Sequence, residues 1–408
     1  MNNKEIKRLT LMATLICWLS PVNAQSLSAC LQMGLTNNLD MRVAALQVQR
    51  AQAAEGSYFE MEKTELSLSQ DPTSGGNPDN ALMLSQKFDF PTVYSTRRKM
   101  LKAESQVEES RLRITESELT RDISSAYSTL LLWQHVSAML TSNDSLLNEQ
   151  VQTAELRCKN GESGQLELLN VKRMKAENGM MLRESIQQRT DASLVLQQLL
   201  NSEQPIVATD SFLCVEVTGQ PYAFAATPQG QLSEREQARS ERELNYVRQS
   251  IMPSFNVGLR HQLVLSGMNP YDVDRSRFED GNWMGFEVGV AFPLFYGAHK
   301  AKKKAARIDV DIARTRKEAA ERQAGTELLT AENAVGSARH NYNYYLTEGL
   351  PAAHEMRRLS CIEYQAGEIS YLEHIQNLSS ALTIEMDYAK ATDALNQAIV
   401  KLNFIKGQ

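Results

Sequence analysis

The chain has 408 residues, with 43 Lys and Arg against 49 Asp and Glu and a net charge of −6. That balance gives no reason to expect nucleic-acid binding, and past the first residues no apolar run approaches the roughly 18 that argue a membrane-crossing helix. If the chain spans a bilayer, it does so as a closed barrel, the other structure that satisfies backbone polar groups in lipid.

The N-terminus carries Lys4, Lys7 and Arg8, an apolar stretch over 9–19, then Pro21 and the small-residue ending Val22-Asn23-Ala24. This is the three-part layout of a secretory signal, so residues 1–24 are expected to be removed, which leaves a net charge of −8. Leu27-Ser28-Ala29-Cys30 also spells a lipoprotein box, although Pro21, Asn23 and Gln25 separate it from the apolar core that an acylation site normally abuts. Cys17 departs with the signal. Cys30, Cys158, Cys214 and Cys361 show no CxxC or other metal spacing, and none of the six histidines pairs at i, i+4 to bind a metal from one helix face. No metal or other cofactor is expected.

A helical pattern opens the mature chain over 27–63. Strand patterns follow at about 64–70 and 81–90. In the latter, Leu82, Leu84, Phe88 and Phe90 alternate with Met83, Ser85, Lys87 and Asp89, a period of two. The loop between them, 71–80, is rich in Gly, Pro, Asn and Asp, as turns require. From 95 to about 159 the chain holds no proline. Ile123, Ala126, Leu130, Trp133, Leu140, Leu147, Val151 and Ala154 occupy a and d positions of one heptad frame, interrupted at Ser137 and Asp144. An unbroken helix of that length runs roughly 90 Å at about 1.5 Å per residue. Lys159-Asn160-Gly161-Glu162-Ser163-Gly164-Gln165-Leu166-Glu167 then turns the chain back into a second helix through Leu200.

The chain then repeats itself. Gln365-Ala366-Gly367-Glu368-Ile369-Ser370-Tyr371-Leu372-Glu373 matches the Gly161 segment at Gly, Glu, Leu and Glu, 206 positions on. Upstream, Phe88-Asp89-Phe90-Pro91 precedes the basic run with Arg97, Arg98, Lys99 and Lys102. Phe292-Pro293-Leu294-Phe295 precedes Lys300, Lys302, Lys303, Lys304 and Arg307, 204 positions on. Two anchors in one order at nearly one spacing indicate a duplication too long-period for a solenoid. The first repeat is placed at 25–203 and the second at 232–408, joined by a linker over 204–231 rich in Pro and Gly. In the second repeat the opening helix runs 232–252. The strands fall at about 254–265 and 283–294, and long helices occupy 300–404. Each strand is close to the roughly 9–11 residues that a tilted transmembrane strand needs, with one apolar face and one polar face bearing Lys87, Asp89 and Glu287. A half-buried hairpin on a soluble core gives the same periodicity. Both basic runs follow directly on an apolar strand, so a position against lipid phosphates at the periplasmic membrane surface explains Arg97, Arg98, Lys99, Lys300, Lys302 and Lys303 together.

Signal, duplication, paired apolar strands and long helices joined at glycine motifs together resemble the TolC-like outer-membrane efflux protein family across almost the whole mature chain. The opening Leu27-Ser28-Ala29-Cys30-Leu31-Gln32-Met33-Gly34-Leu35-Thr36-Asn37-Asn38 looks like the family's first helix, which sets Cys30 inside a helix. The two Gly-Glu-x-x-x-Leu-Glu turns and Val288-Gly289-Val290-Ala291-Phe292-Pro293-Leu294-Phe295 carry the rest. Met252-Pro253-Ser254-Phe255-Asn256-Val257-Gly258 looks similar to the family's heavy-metal-cation branch.

The resemblance implies a mainly α protein with transmembrane β structure, built from a duplicated helix/β-hairpin/helix unit. It implies a homotrimer whose four strands per protomer close a 12-stranded outer-membrane β-barrel, continued by a long periplasmic α-helical barrel. The function implied is the passive exit channel of a tripartite efflux system, partnered by a periplasmic adaptor protein and an inner-membrane efflux pump, with no catalytic group or cofactor. The resemblance also places a periplasmic gate near Gly161 and Gly367. Glu167 and Glu373 stand in the carboxylate position, and Tyr364 in that of a tyrosine able to hydrogen-bond the first repeat's carboxylate. Gln376 stands where a second acidic ring can occur and Ile369 where a linking arginine can. Three converging Glu373 side chains would repel one another and raise their pKa values, whereas solvated carboxylates on a helix surface are the plainer reading of Glu167 and Glu373.

A periplasmic adaptor also has a long helical hairpin, but only one, flanked by other domains. A structural coiled-coil protein has no need of a signal or alternating strands. An enzyme is not expected, since no nucleophile elbow, phosphate-cradling glycine loop or metal pair is present in the sequence.

Overall fold

The computed structural model describes residues 23–71, 79–161, 163–212, 215–217, 219, 221–262 and 283–408. Most of the expected signal, Cys214 and the greater part of both strand-connecting loops lie outside these. The chain divides into two compact units. One comprises residues up to Ala44 with Arg113–Pro228 and Glu321–Gln408, and the other Ala45–Leu112 with Gln229–Ala320.

In chain order the elements are β1 (Asn23–Gln25), α1 (Leu27–Asn37), α2 (Leu39–Glu55), β2 (Glu65–Asp71), β3 (Asp79–Phe88), α3 (Pro91–Lys159), α4 (Gln165–Leu200), β4 (Ile206–Ala208), α5 (Pro228–Gln249), β5 (Ser254–Gln262), β6 (Trp283–Ala291), α6 (Gly297–Tyr344), a π-helical turn (Tyr345–Gly349), α7 (Leu350–Ala366) and α8 (Tyr371–Lys406). The opening helix, expected as one piece over 27–63, is two. Asn38 breaks it, because its side-chain oxygen caps the new helix by accepting from the Asp40 and Met41 amides at 2.8 and 3.2 Å. The segment expected as a linker, 204–231, carries β4, which pairs in parallel with β1.

The first unit is helical. Its largest core packs Cys30, Ile123, Tyr127, Leu130, Leu196 and Leu200 from α1, α3 and α4, each large side chain stabilising the unit by about 1.5–3 kcal/mol. Gly34 lets α1 approach this closely, since a Cβ there would collide with Ile123 Cδ1. Cys30 is fully buried inside α1, and burial pushes its thiol up to about 11. Tyr127 donates to the Gln25 carbonyl at 2.9 Å and accepts from the Thr209 and Asp210 amides, tying the β1–β4 pair to the core. The expected heptad residues Ile123, Leu130, Leu140, Leu147 and Ala154 are buried, and so is Ser137, whose hydroxyl is satisfied by the Gln134 carbonyl. From α8, Asp393 accepts from Ser128 at 2.6 Å and Gln397 bonds the Ser125 backbone at 3.0 Å.

The second unit is built on one antiparallel sheet in the order β2-β3-β5-β6, so β2 and β6 are its edges. The same unit holds the remainders of α2 and α3, α5 and the start of α6. Ion pairs Arg239–Glu104 and Arg111–Glu236 link α5 to α3. Pro91 is the first residue of α3, where its missing N–H costs nothing.

Candidate functional site

The sheet has two chemically distinct faces, set by the alternation of its strands. Register aligns Leu66, Leu84, Leu259 and Phe286 in one row across all four strands. These four are 65, 43, 51 and 84% exposed. Val257 and Val288 pair in the next row of the same face, and Phe88, Phe255 and Val290 in the row after that. On the other face the rows read Glu65, Ser85, Gly258 and Glu287, then Ser67, Met83, Arg260 and Gly285. A soluble sheet buries its apolar face and wets its polar one, whereas here the apolar face is as open as the polar one, on which Glu65, Arg260 and Glu287 are exposed.

At the foot of this sheet stand the basic clusters. Arg97 pairs with Glu60 at 2.5 Å and Arg98 lies 5.1 Å above the Tyr58 ring, while Lys99 is exposed. Lys300 and Lys302 are exposed and Lys303 is half-buried. Two of the first cluster's charges are therefore engaged within the chain, and the second cluster carries the more open charge.

The helical turns belong to the other unit. Gly161 and Gly367 have φ of +78° and +76°, and a Cβ at either would meet open space, so glycine is needed for backbone conformation and not for room. Both end a helix in the left-handed region, and the Gly367 and Glu368 amides close α7 onto the Tyr364 and Glu363 carbonyls.

The two turn glutamates, equivalent in sequence, do different things. Glu373 sits at the third position of α8 in a capping box: the Ser370 hydroxyl accepts from its amide at 3.2 Å, and its carboxylate accepts from the Ser370 amide at 2.8 Å. These bonds hold its carboxyl below the ordinary carboxylate value in the single chain. In α4 the corresponding cap is Gly164, which has no side chain to complete a box. Glu167 instead lies 3.4 Å from Arg157 of α3. That contact is an ion pair without hydrogen-bond alignment, since the same carboxylate oxygen lacks a bonded partner.

Tyr364 does not reach Glu167 directly. Arg157 stands between them, donating from Nη1 to the Tyr364 hydroxyl at 2.9 Å. Arg157 also lies 5.6 Å from the Tyr371 ring, and the buried Tyr371 donates to the Gln150 carbonyl at 3.0 Å. Burial first, then Tyr364 and Glu167, push the Tyr371 hydroxyl upward. On its far side Tyr364 stacks on the His374 ring, 4.8 Å away and 7° from parallel. His374 is buried and bonded through Nδ1 to the Ser360 hydroxyl at 2.9 Å, and burial lowers its pKa. The two hairpins, α3 with α4 and α7 with α8, are thus clasped by Glu167, Arg157, Tyr364 and His374. Sequence reasoning found Glu167 and Tyr364 and missed Arg157 and His374. It sought the linking arginine at Ile369, while the chain supplies one four residues before Gly161.

Among the described residues, no group of three or more His, Cys, Asp or Glu is placed to hold a metal ion, and no helix is long and apolar enough to cross a membrane.

Residues 230–408 match the family model of the outer membrane efflux protein. A crystal structure of CusC, reported with the conformational changes of its folding and transmembrane channel formation, aligns with a TM-score of 0.78 at 17% identity, covering 96% of this chain and 94% of that one. The open-state MtrE outer membrane channel of Neisseria gonorrhoeae aligns at 0.76 and 14% identity, covering 93% and 88%. The CmeC outer membrane channel of Campylobacter jejuni aligns at 0.75 and 14% identity, covering 96% and 90%. A comparison with curated protein sequences found no match. The family model thus matches the C-terminal part of the chain, and the fold of these solved outer-membrane channels extends over nearly all of it.

Proposed function

We propose that the chain is the outer-membrane exit channel of a tripartite efflux system, passively conducting small molecules or metal cations handed to it by an inner-membrane pump through a periplasmic adaptor. The observation that carries this reading is the sheet. Four strands with a bare apolar face and two open edges are unstable in water and incomplete in lipid, where every edge must be paired. Three copies supply twelve strands, enough to close a barrel with the Leu66–Phe286 face toward lipid and the Glu65–Glu287 face toward water. Under this reading the signal directs export, and Arg97, Arg98, Lys99, Lys300, Lys302 and Lys303 lie against lipid phosphates at the periplasmic membrane surface. The clasp of Glu167, Arg157 and Tyr364 serves as the periplasmic gate in each protomer, with Glu373 of three copies near the axis and Gly161 and Gly367 forming the turns.

The test is fractionation of cells expressing the full chain, followed by native mass determination in detergent. A trimer extracted from the outer membrane is the expected result. A soluble monomer would overturn the channel reading and return the adaptor and structural coiled-coil alternatives.

A further inference from the structure

The residues just before α1 are held by groups from elsewhere in the first unit. The Gln25 carbonyl accepts from the Tyr127 hydroxyl at 2.9 Å and from the Thr209 amide at 3.2 Å. Ser26 caps α1, its hydroxyl accepting from the Ala29 amide at 3.4 Å. The Leu27 amide donates to the Asp210 carboxylate at 2.6 Å. Asp210 is brought there by a second bond, since its own amide donates at 3.3 Å to the same Tyr127 hydroxyl that bonds Gln25.

These contacts bear on the two processing sites that the sequence spells. A cut before Cys30 would remove Gln25 through Ala29, and with them the Tyr127 acceptor, the cap and the Asp210 partner. It would also require a lipid on a sulfur that is 0% exposed and packed among Ile123, Tyr127, Leu130, Leu196 and Leu200. A cut between Ala24 and Gln25 keeps all of these bonds, and of the β1 pairs with β4 it leaves that of Gln25 with Ala208. In that hydrolysis water gives its hydroxyl to the Ala24 carbonyl carbon, and the released Gln25 nitrogen takes up protons to become an ammonium at neutral pH. The ammonium carries more donors than the peptide N–H it replaces, on a residue whose Oε1 is shut from water without a partner.

We propose that Asp210 receives the amino terminus of the processed chain, its carboxylate facing the Gln25 ammonium, and that Cys30 stays an unmodified core thiol. The charge pair takes over from the lost β1 pairs and anchors the start of α1 to the segment that follows β4. An opposite charge nearby favours the protonated amine. A free terminal glutamine closes on itself: its neutral amine attacks its own side-chain carbonyl carbon, the lactam C–N bond forms, and ammonia leaves. The ammonium has no electron pair for that attack, so Asp210 keeps Gln25 open. The inference rests on the export part of the channel reading and adds the residue that receives the new terminus.

The test is intact mass and N-terminal fragmentation of the full chain purified from the outer membrane, beside Asp210→Asn and Asp210→Glu. Asparagine keeps an oxygen for the Leu27 amide and removes the charge, and glutamate restores the charge. The parent and Asp210→Glu are expected to begin at an open Gln25 with no acyl mass. Asp210→Asn is expected to begin at Gln25 and to lose one ammonia several-fold faster during incubation at neutral pH. Unfolding the parent in denaturant should raise its closure to the same fast rate, a comparison that stands even if Asp210→Asn does not accumulate. A parent that begins at an acylated Cys30 overturns the inference and leaves the channel reading standing. So does a folded parent whose Gln25 closes as fast as that of Asp210→Asn or of the unfolded chain. A chain that keeps Met1 and is absent from the outer membrane overturns both.

Discussion

The turns at Gly161 and Gly367 share a backbone conformation and a glutamate six residues on, yet one glutamate serves its own helix and the other reaches to a neighbour. The difference traces to one position. Ser370 offers α8 a hydroxyl and completes a capping box, which holds Glu373 in place, whereas Gly164 offers α4 nothing and leaves Glu167 free for Arg157. A matching motif therefore does not fix matching chemistry. A residue's role is set by whether a nearer partner has already satisfied it.

The largest way to break the contrast is to remove the ring on which both hairpins rest. Tyr371→Ala is expected to cost about 3–5 kcal/mol, the range for deleting a buried aromatic, read as a lowered denaturation midpoint of the detergent-solubilised protein. Tyr371→Phe removes only the bond to the Gln150 carbonyl and is expected to cost about 1 kcal/mol. Next come the turns themselves. Gly161→Ala and Gly367→Ala should each cost about 1–2 kcal/mol, the penalty for an L side chain in the left-handed region. Equal losses are expected, since neither turn crowds its glycine.

Ser370→Ala should cost about 1 kcal/mol, a typical N-cap loss, and release Glu373 from its box. The reverse change, Gly164→Ser, gives the first turn a cap worth only a few tenths of a kcal/mol. Its main effect is to draw Glu167 away from Arg157, which a double-mutant cycle between Arg157→Ala and Glu167→Gln would detect as lost coupling. Acid separates the turns further. His374 has a folded pKa below its unfolded value of about 6.5. The unfolded chain then binds the proton more readily, so stability is complete above that value and falls as pH drops through it. Glu373, also lowered, contributes at neutral pH and loses that contribution only at lower pH, as its own folded pKa is passed. A pH titration of tip proteolysis in the native protein, repeated on His374→Gln, should show increased cleavage on mild acidification in the parent and little change in the variant.

Much of the architecture was legible because it is periodic. The heptad run from Ile123 to Ala154 announces a helix far longer than a globular core requires, and the alternation from Phe286 to Phe292 announces a strand with one greasy face. What stayed illegible depends on chain closure. Arg157 and Tyr364 are 207 positions apart, and no local pattern links them until two hairpins pack. The pairing of β1 with β4 is likewise non-local, and the π-helical turn at Tyr345–Gly349 has no signature beyond Gly349 and Pro351. The break at Asn38 did carry a signal, an Asn two residues ahead of Asp40 at the start of a helical run, outweighed by the helical composition on both sides. Glu373 was legible as a turn glutamate but not as a cap, although Ser370 three residues before it spells the box.

The most direct measurement of the central claim is single-channel recording of the purified full chain in a planar lipid bilayer, with Arg157→Ala alongside. Discrete conducting steps, small or rare in the parent and larger or more frequent in the variant whose clasp is broken, are the expected result. A trimer that inserts into the bilayer and passes no current in either form would contradict the account.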